Sequence, residues 1–327
     1  MQTAAEERLQ HKEKSMQEIK TVGVVATGVI GASWASYFLA RGLNVVATDP
    51  GPGAEDRLRR AVEQHWPALE RAGLASGASP SRLVFEPQLE AALSEVDFVQ
   101  EQGPEREDFK IELFRRMDAR LPPEVILASS SSGLLISRVQ SACQHPERVV
   151  LGHPFNPPHL IPLVEVIGGE KTSPQTIARA MAFYAAIGKR PIHGRKEIKG
   201  HIANRLQAAL WREAFHLVEQ GVASVADIDT AIAYGPGLRW ALLGPFANLH
   251  LSGGDGGIAH VLEHLGPPIE SWWHDLGQPV LTPELVQRVV AGTAEALAGR
   301  AREPLEQERD QLLLDLLHAK AAARQLP

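Results

Sequence analysis

The sequence predicts a doubly wound α/β fold with a mainly parallel sheet, followed by an all-α carboxyl-terminal domain. Short apolar runs alternate with helical stretches from residue 21 to about residue 198, which is typical of a parallel sheet covered by helices. From residue 200 onward the strand-like runs stop, and apolar residues recur at helical spacing. The chain of 327 residues is long enough for two domains of ordinary size.

The predicted strands are short β-branched or apolar runs. Strands are predicted at 22–26, 44–48, 83–85, 98–100, 125–128, 149–151, 163–167 and 191–193. Helices are predicted at 29–41, 54–72, 108–119, 202–220, 225–234, 283–298 and 303–323. We therefore divide the chain into a flexible amino-terminal extension at 1–18, a Rossmann-type domain at 19–199 and a helical domain at 200–327.

Composition and charge argue against several classes of function. Apolar residues make up 44% of the chain and charged residues 22%, which is typical of a soluble protein with an ordinary core. The net charge of -6 argues against a nucleic-acid partner, and no apolar run approaches the roughly 18 residues of a membrane span. Cys143 is the only cysteine, which excludes an intramolecular disulfide and fits a reducing compartment. Because the first 18 residues lack a hydrophobic signal segment, we expect a cytoplasmic protein.

The first strand runs into a turn with the spacing of a dinucleotide-binding loop. Gly28 lets the backbone approach a pyrophosphate, and Gly31 lets the following helix pack on the strand. Asp49 closes the second strand, where it would accept hydrogen bonds from the adenosine ribose and favour NAD over NADP. Ala26 occupies the first glycine position, where its methyl group is expected to strain the turn or weaken cofactor binding. We therefore predict NAD as the cofactor, held at this loop by Ala26, Gly28, Val29, Ile30, Gly31 and Asp49.

Polar residues also follow the fourth and fifth predicted strands, at the edge where ligands bind in such sheets. Glu101 and Gln102 follow the fourth strand, and a run of serines at 129–132 follows the fifth. We expect Glu101, together with Lys110 in the next helix, to contribute to the cofactor site.

A histidine and a glutamate flank a proline-rich loop. His153 ends one apolar strand and Glu165 lies in the next, so the two side chains can meet once the loop folds back. A carboxylate against one ring nitrogen fixes the imidazole tautomer and raises the basicity of the other nitrogen, as abstraction of a hydroxyl proton requires. The pair is therefore a candidate acid–base dyad. The alternative is a histidine that caps a strand and a solvated glutamate.

These residues together resemble the L-3-hydroxyacyl-CoA dehydrogenase superfamily over nearly the whole chain after residue 18. Active sites of that family combine a serine after the fifth strand, a histidine before a Phe-Asn-Pro turn, a glutamate in the next strand and an asparagine in an Asn-Arg-Leu helix start. The resemblance implies catalytic roles for Ser132, His153, Glu165 and Asn204, with Asn156 in the turn as a substrate contact. Ser132 and Asn204 would stabilise the negative charge that develops on the substrate oxygen.

Motifs in the helical domain look like the branch of this family that oxidises the 3-hydroxyl of L-carnitine. The motifs are Gly-Leu-Arg-Trp at 237–240, Gly-Pro-Phe at 244–246 and a glycine-rich stretch at 253–257. Quaternary ammonium groups are bound by aromatic faces, at ~0.5 to 2 kcal/mol per well-placed ring. Aromatic residues are concentrated in this domain, at Tyr234, Trp240, Phe246, Trp272 and Trp273, and as a set they support a cationic substrate. We expect Tyr234, Trp240 and Phe246 to bind the trimethylammonium group and Arg239 to bind the substrate carboxylate, with a surface or interface role as the alternative for Arg239. The alternative is that these rings fill the core.

Other interpretations stay open. Alternative substrates are L-gulonate and 3-hydroxyacyl-CoA, and a non-catalytic crystallin-like relative is a further possibility. The His-x-x-Glu-His order at 260–264 suggests a zinc site, but the prolines at 267 and 268 are expected to end that helix and we expect no metal. The apolar run at 312–317 favours a homodimer, so that the domain at 200–327 would serve both substrate binding and dimerisation; the alternative is that this run packs on its own domain.

Overall fold

The computed structural model describes residues 19–326, so the predicted extension at 1–18 lies outside the described residues. In this part of the chain eight strands form one sheet, in the order β3-β2-β1-β4-β5-β6-β7-β8. The strands are β1 Thr21–Val25, β2 Asn44–Thr48, β3 Leu83–Phe85, β4 Phe98–Glu101, β5 Ile126–Ser129, β6 Val149–Pro154, β7 Leu163–Gly168 and β8 Arg190–Gly194. Neighbouring strands are parallel except β6 and β7, which are antiparallel. The predicted α/β fold with a mainly parallel sheet is confirmed.

The helices between the strands cover the sheet, and those after β8 form a separate helical region. They are α1 Val29–Ala40, α2 Ala54–Ala72, α3 Leu89–Ala92, α4 Glu107–Arg120, α5 Ile136–Val139 and α6 Pro174–Ala186, then α7 Ala203–Glu219, α8 Val225–Tyr234, α9 Pro236–Leu242, α10 Pro245–Ser252, α11 Gly257–Asp275, α12 Pro283–Ala296 and α13 Arg302–Ala322. The chain divides into two compact units, the first ending at Asn204 and the second beginning at Arg205.

Two buried apolar clusters lie on opposite faces of the sheet because successive strand residues point to opposite sides. Val24 belongs to the cluster that includes Trp34 and Phe38 of α1, whereas Val25 belongs to the cluster that includes Phe114 of α4. The rings of Trp34 and Phe38 stack with their centroids 5.0 Å apart. Both faces of the sheet are therefore packed, which explains why the strands read as apolar runs rather than as alternating patterns.

The strand order reverses direction between β1 and β4, which are direct neighbours. Ligands of open α/β sheets bind at such a switch point, outside the carboxyl ends of the strands. The ends of β1 and β4 lie side by side here, with Val25 paired to Glu101. This edge of the sheet carries the predicted dinucleotide loop.

One predicted helix end is wrong. The prolines at 267 and 268 were expected to stop the helix that carries His260 and His264, but α11 continues through both to Asp275. A proline removes its own backbone donor and weakens a helix without having to end it. The two histidine rings lie 4.1 Å apart. Among residues 19–326 no group of three or more histidine, cysteine, aspartate or glutamate side chains is arranged to hold a metal ion.

No helix within residues 19–326 combines the length and the apolar character needed to cross a bilayer.

Candidate active site

The loop between β1 and α1 has the shape of a phosphate cradle. Gly28 is the N-cap of α1, and no side chain caps this helix end. The first backbone amides of the helix are therefore available to bind an anionic ligand. A Cβ atom placed on Gly28 would have no atom within 4 Å, whereas one placed on Gly31 would lie 2.0 Å from the Ala26 carbonyl oxygen. Gly31 is therefore required by packing, and Gly28 leaves open the side from which a pyrophosphate approaches.

Asp49 lies beside this loop and ties it to the end of β2. Its Oδ2 atom accepts hydrogen bonds from the Thr27 amide at 2.8 Å and the Thr27 hydroxyl at 3.2 Å, and its Oδ1 atom accepts one from the Gly51 amide at 2.8 Å. A cavity of about 370 Å³ adjoins the loop, and its mainly apolar lining includes Val25, Ala26, Pro50, Pro87, Leu89 and Phe109, together with Glu90 and Arg116. Its apolar walls suit an adenine ring. The residues at this edge therefore fit a dinucleotide.

Ala26 adopts a left-handed backbone conformation, with φ at 68°. This conformation costs an L-residue roughly 1 to 2 kcal/mol, whereas glycine adopts it without strain. Glycine, however, makes the unfolded chain more disordered, which lowers the stability of the folded protein by about 0.4 to 1 kcal/mol. We expect Ala26→Gly to leave the free energy of unfolding unchanged or to raise it by up to about 1 kcal/mol, and Ala26→Val to lower it. Urea denaturation without cofactor measures both, and equal stability of the two variants would show that position 26 is unstrained.

Glu101 and Lys110 form a buried ion pair at the switch point. The Lys110 Nζ atom lies 2.7 and 2.9 Å from the two carboxylate oxygens of Glu101, and both side chains are almost fully buried. The Ser129 hydroxyl and the Gly103 amide also donate to this carboxylate. The pair therefore braces the ends of β4 and β5 beside the loop, and direct binding of the cofactor by either side chain stays a prediction.

His153 and Glu165 are direct partners in the antiparallel register of β6 and β7. The His153 Nδ1 atom lies 2.8 Å from the Glu165 Oε2 atom, and both side chains are buried. Burial alone would raise the pKa of Glu165, but its hydrogen bonds with His153 and with the amides of Ala203 and Ile202 outweigh burial and hold the pKa below its ordinary value. The carboxylate is therefore ionised at neutral pH, so that Nδ1 of His153 carries the proton and Nε2 is the basic atom.

Glu165 also fixes the start of α7. Its Oε1 atom accepts hydrogen bonds from the amides of Ile202 and Ala203, each at 2.9 Å. At the next residue, the Asn204 Nδ2 atom donates to the Ser132 carbonyl oxygen at 3.2 Å. The predicted catalytic residues thus form two bonded pairs, His153 with Glu165 and Ser132 with Asn204, and the backbone at 202–204 connects them.

His201 is a further residue of this site, and no motif or spacing had indicated a role for it. It has a left-handed backbone with φ at 52°, is buried, and its Nε2 atom lies 3.0 Å from the Ser131 carbonyl oxygen. Its ring centroid lies 5.2 Å from that of His153. Burial lowers the pKa of His201, so its imidazole is neutral and adds no positive charge beside His153. A histidine next to Gly200 at the predicted domain boundary was the only signal in the sequence.

The proline-rich loop between β6 and β7 is anchored by Lys189. This buried side chain donates to the Ile161 carbonyl oxygen at 3.0 Å and to the Pro158 carbonyl oxygen, and its Nζ atom lies 3.8 Å from the centre of the Tyr37 ring. Burial lowers the pKa of Lys189 well below its ordinary value. Asn156 lies at the exposed start of the same loop.

The four predicted substrate residues of the second unit lie on three consecutive short helices. Tyr234 ends α8, Arg239 and Trp240 lie in α9, and Phe246 lies in α10. The Asn248 side chain links α9 to α10 through the carbonyl oxygens of Arg239, Leu243 and Gly244. Tyr234 is 80% exposed and Phe246 77% exposed, so within this chain these two rings do not fill a core.

Two family profiles match almost the entire described chain. The NAD-binding domain of 3-hydroxyacyl-CoA dehydrogenase matches residues 21–198, and the carboxyl-terminal domain of the same family matches residues 200–308. The chain belongs to the 3-hydroxyacyl-CoA dehydrogenase family. Together with its dinucleotide cradle, this membership makes it an NAD-dependent oxidoreductase.

Several relatives of this dehydrogenase are named L-carnitine dehydrogenase. The L-carnitine dehydrogenase of Streptomyces coelicolor is 50% identical over 93% of this chain and 96% of its own length. The L-carnitine dehydrogenase of Bacillus cereus is 50% identical over 95% of both chains. The one from Pseudomonas aeruginosa is 48% identical over 92% of this chain and 94% of its own length.

Solved structures of similar dehydrogenases share the fold. The NAD⁺-dependent 5-formyl-3-hydroxy-2-methylpyridine 4-carboxylic acid 5-dehydrogenase superposes with a TM-score of 0.81 at 30% identity, over 94% of this chain and 100% of that chain. The (S)-3-hydroxybutyryl-CoA dehydrogenase of Ralstonia eutropha superposes with a TM-score of 0.64 at 26% identity, over 84% of this chain and 95% of that chain. Dehydrogenases with different substrates in their names therefore share this fold.

Proposed function

We propose that this dehydrogenase oxidises the 3-hydroxyl of L-carnitine to 3-dehydrocarnitine in an NAD-dependent reaction. The observation that carries the proposal is the identity of 48 to 50% with L-carnitine dehydrogenases over more than nine-tenths of the chain. The buried pair of His153 and Glu165, at 2.8 Å, supports the alcohol chemistry. Bound NAD supplies the hydride acceptor.

Residues of this chain are proposed to accept the proton that the 3-hydroxyl group loses on oxidation. In this proposal the unprotonated Nε2 atom of His153 takes the proton of the 3-hydroxyl group, and the ionised carboxylate of Glu165 stabilises the imidazolium that results. Neutral His201 keeps a second positive charge away from that imidazolium. Ser132 and Asn204, which are linked by a hydrogen bond, would donate to the substrate oxygen as its negative charge develops.

Substrate recognition is assigned to the three short helices of the second unit. A trimethylammonium group neither donates nor accepts conventional hydrogen bonds, so aromatic faces are the groups that attract it. Tyr234, Trp240 and Phe246 supply such faces from adjacent elements, and Arg239 supplies a cation for the carboxylate of the substrate. We assign the ammonium group to the three rings and the carboxylate to Arg239.

A substrate comparison tests this proposal. We expect NADH formation from L-carnitine, and a kcat/KM at least about 10-fold lower for 3-hydroxy-5,5-dimethylhexanoate, in which a neutral tert-butyl group replaces the trimethylammonium group. L-Gulonate and 3-hydroxybutyryl-CoA serve as competing substrates in the same assay. Higher kcat/KM with either competitor would overturn the assignment, and equal values for carnitine and its neutral isostere would overturn the aromatic site.

We further propose that the second unit forms a homodimer. Apolar side chains on its helices are largely exposed in the single chain, among them Leu206 at 62%, Val290 at 62% and Leu312 at 62%. Exposed apolar surface of this kind is typical of an association face. Light scattering on the purified protein measures the mass, and a monomer would contradict this proposal.

A further inference from the structure

Gln102 directly follows β4, beside the dinucleotide loop. Its backbone amide donates to the Val25 carbonyl oxygen at 2.9 Å, which holds the residue next to Ala26 at the switch point of the sheet. A Cβ atom added to Gly31 would lie 3.3 Å from the Gln102 Oε1 atom. The carboxamide of Gln102 therefore lies against the amino-terminal turn of α1.

Both polar atoms of this carboxamide are buried, and within residues 19–326 neither has a hydrogen-bond partner. A buried amide without partners is costly, because it has lost its bonds to water and gained none in return. Two buried glutamines of the same unit, Gln100 and Gln140, have hydrogen-bond partners. Gln140 donates to the Pro146 carbonyl oxygen at 2.6 Å and accepts from the Lys171 amide at 3.2 Å. The carboxamide of Gln102 thus carries a free-energy cost in the cofactor-free protein that Gln140 does not.

An unsatisfied buried polar group in a native protein requires an explanation, such as a ligand or a water molecule that completes its bonding. The position of Gln102 decides which ligand. Its Oε1 atom lies against Gly31, in the first turn of the helix whose uncapped end is Gly28, and a helix end of this kind is where the pyrophosphate of a dinucleotide is expected. A carboxamide suits this place because it donates through Nε2 to a phosphate or ribose oxygen and accepts through Oε1 from a ribose hydroxyl.

We infer that Gln102 is a further cofactor-binding residue, whose carboxamide bonds the pyrophosphate or the adjoining ribose of NAD. The inference rests on the NAD dependence of the dehydrogenase and not on the identity of its substrate. The inference has two opposite consequences for this amide: it lowers the stability of the cofactor-free protein, and it raises the affinity for NAD.

The test compares Gln102→Met with a matched control, Gln140→Met, in the full-length protein. Methionine keeps the length of the side chain and removes the amide. For Gln102→Met we expect a roughly 10-fold higher Kd for NADH by fluorescence titration, and an unfolding temperature without cofactor that is unchanged or about 2 to 4 °C higher. For Gln140→Met we expect the reverse pattern, a lower unfolding temperature and an unchanged Kd.

Binding of ADP-ribose, which lacks the nicotinamide, locates the contact. The affinity of Gln102→Met for ADP-ribose should fall by the same factor as its affinity for NADH. An effect confined to NADH would overturn the placement at the pyrophosphate. An unchanged Kd for NADH, or a lower unfolding temperature of the cofactor-free variant, would overturn the inference itself. Because no carnitine is used, failure here is distinguishable from failure of the proposed substrate.

Discussion

Substitution of His153 by alanine should lower kcat with L-carnitine by ~100-fold or more, on the usual scale of general-base loss. The imidazole is the group of the bonded pair that is proposed to take the hydroxyl proton, and its Nδ1 atom is already engaged by Glu165 at 2.8 Å. Alanine removes the base and leaves the dinucleotide loop untouched. NADH binding, measured by fluorescence titration, should therefore stay within about twofold of the parent protein.

A histidine outside the site provides the control for this prediction. His145 lies on the surface, where its ring is 3.3 Å from the Glu147 carboxylate. His145→Ala should keep the parent turnover. If His153→Ala retained more than about a tenth of the parent kcat, another group would have to act as the base and the proposed role of the dyad would be wrong.

Substitution of Glu165 by alanine should reduce both stability and turnover. The change leaves the His153 ring and the amides of Ile202 and Ala203 without their acceptor inside the protein. Each unsatisfied buried donor costs about 1 to 3 kcal/mol, so we expect the free energy of unfolding to fall by about 3 kcal/mol or more. Turnover should fall roughly 10- to 100-fold because the orientation of the imidazole is lost. Urea denaturation and steady-state kinetics measure the two effects.

The pH dependence separates the charge of Glu165 from its packing. Its pKa in the folded protein is lower than the ordinary value of 4.5, so the ionised carboxylate stabilises the fold above about pH 4.5 and this contribution is lost as the pH falls through the folded pKa. The stability difference between the parent and Glu165→Gln should therefore be complete at pH 7 and shrink below about pH 4.5. A difference independent of pH between 7 and 3 would show that the carboxylate contributes no charge-dependent stability.

The sequence was sufficient to predict the α/β fold because each strand is a short apolar run with a clear end. Both predicted ends of α2 and of α8 agree with the structure. The positions of His153 and Glu165 on facing strands were also accessible, since the proline-rich loop between them indicated a reversal of the chain. Residue spacing and composition were thus enough to predict most strands and helices of the first unit.

Features that depend on tertiary contacts were not predictable in the same way. The short helices α9 and α10 contain glycines or prolines at their starts and are too short to show a helical period. The ion pair of Glu101 and Lys110 and the unsatisfied carboxamide of Gln102 depend on which side chains burial brings together. Likewise, the left-handed conformation of His201 has no signature in residue spacing.

The two oxygens of the Glu165 carboxylate serve different tasks, since one faces the imidazole and the other receives the first amides of α7. Substitutions at His153 and at Glu165 are therefore constrained to different degrees. A descendant recruited for a purely architectural role would be free to change the histidine early, whereas replacement of the acid would also cost stability. Among distant homologues, an inactive lineage should accordingly be recognised by a retained acid opposite a replaced imidazole.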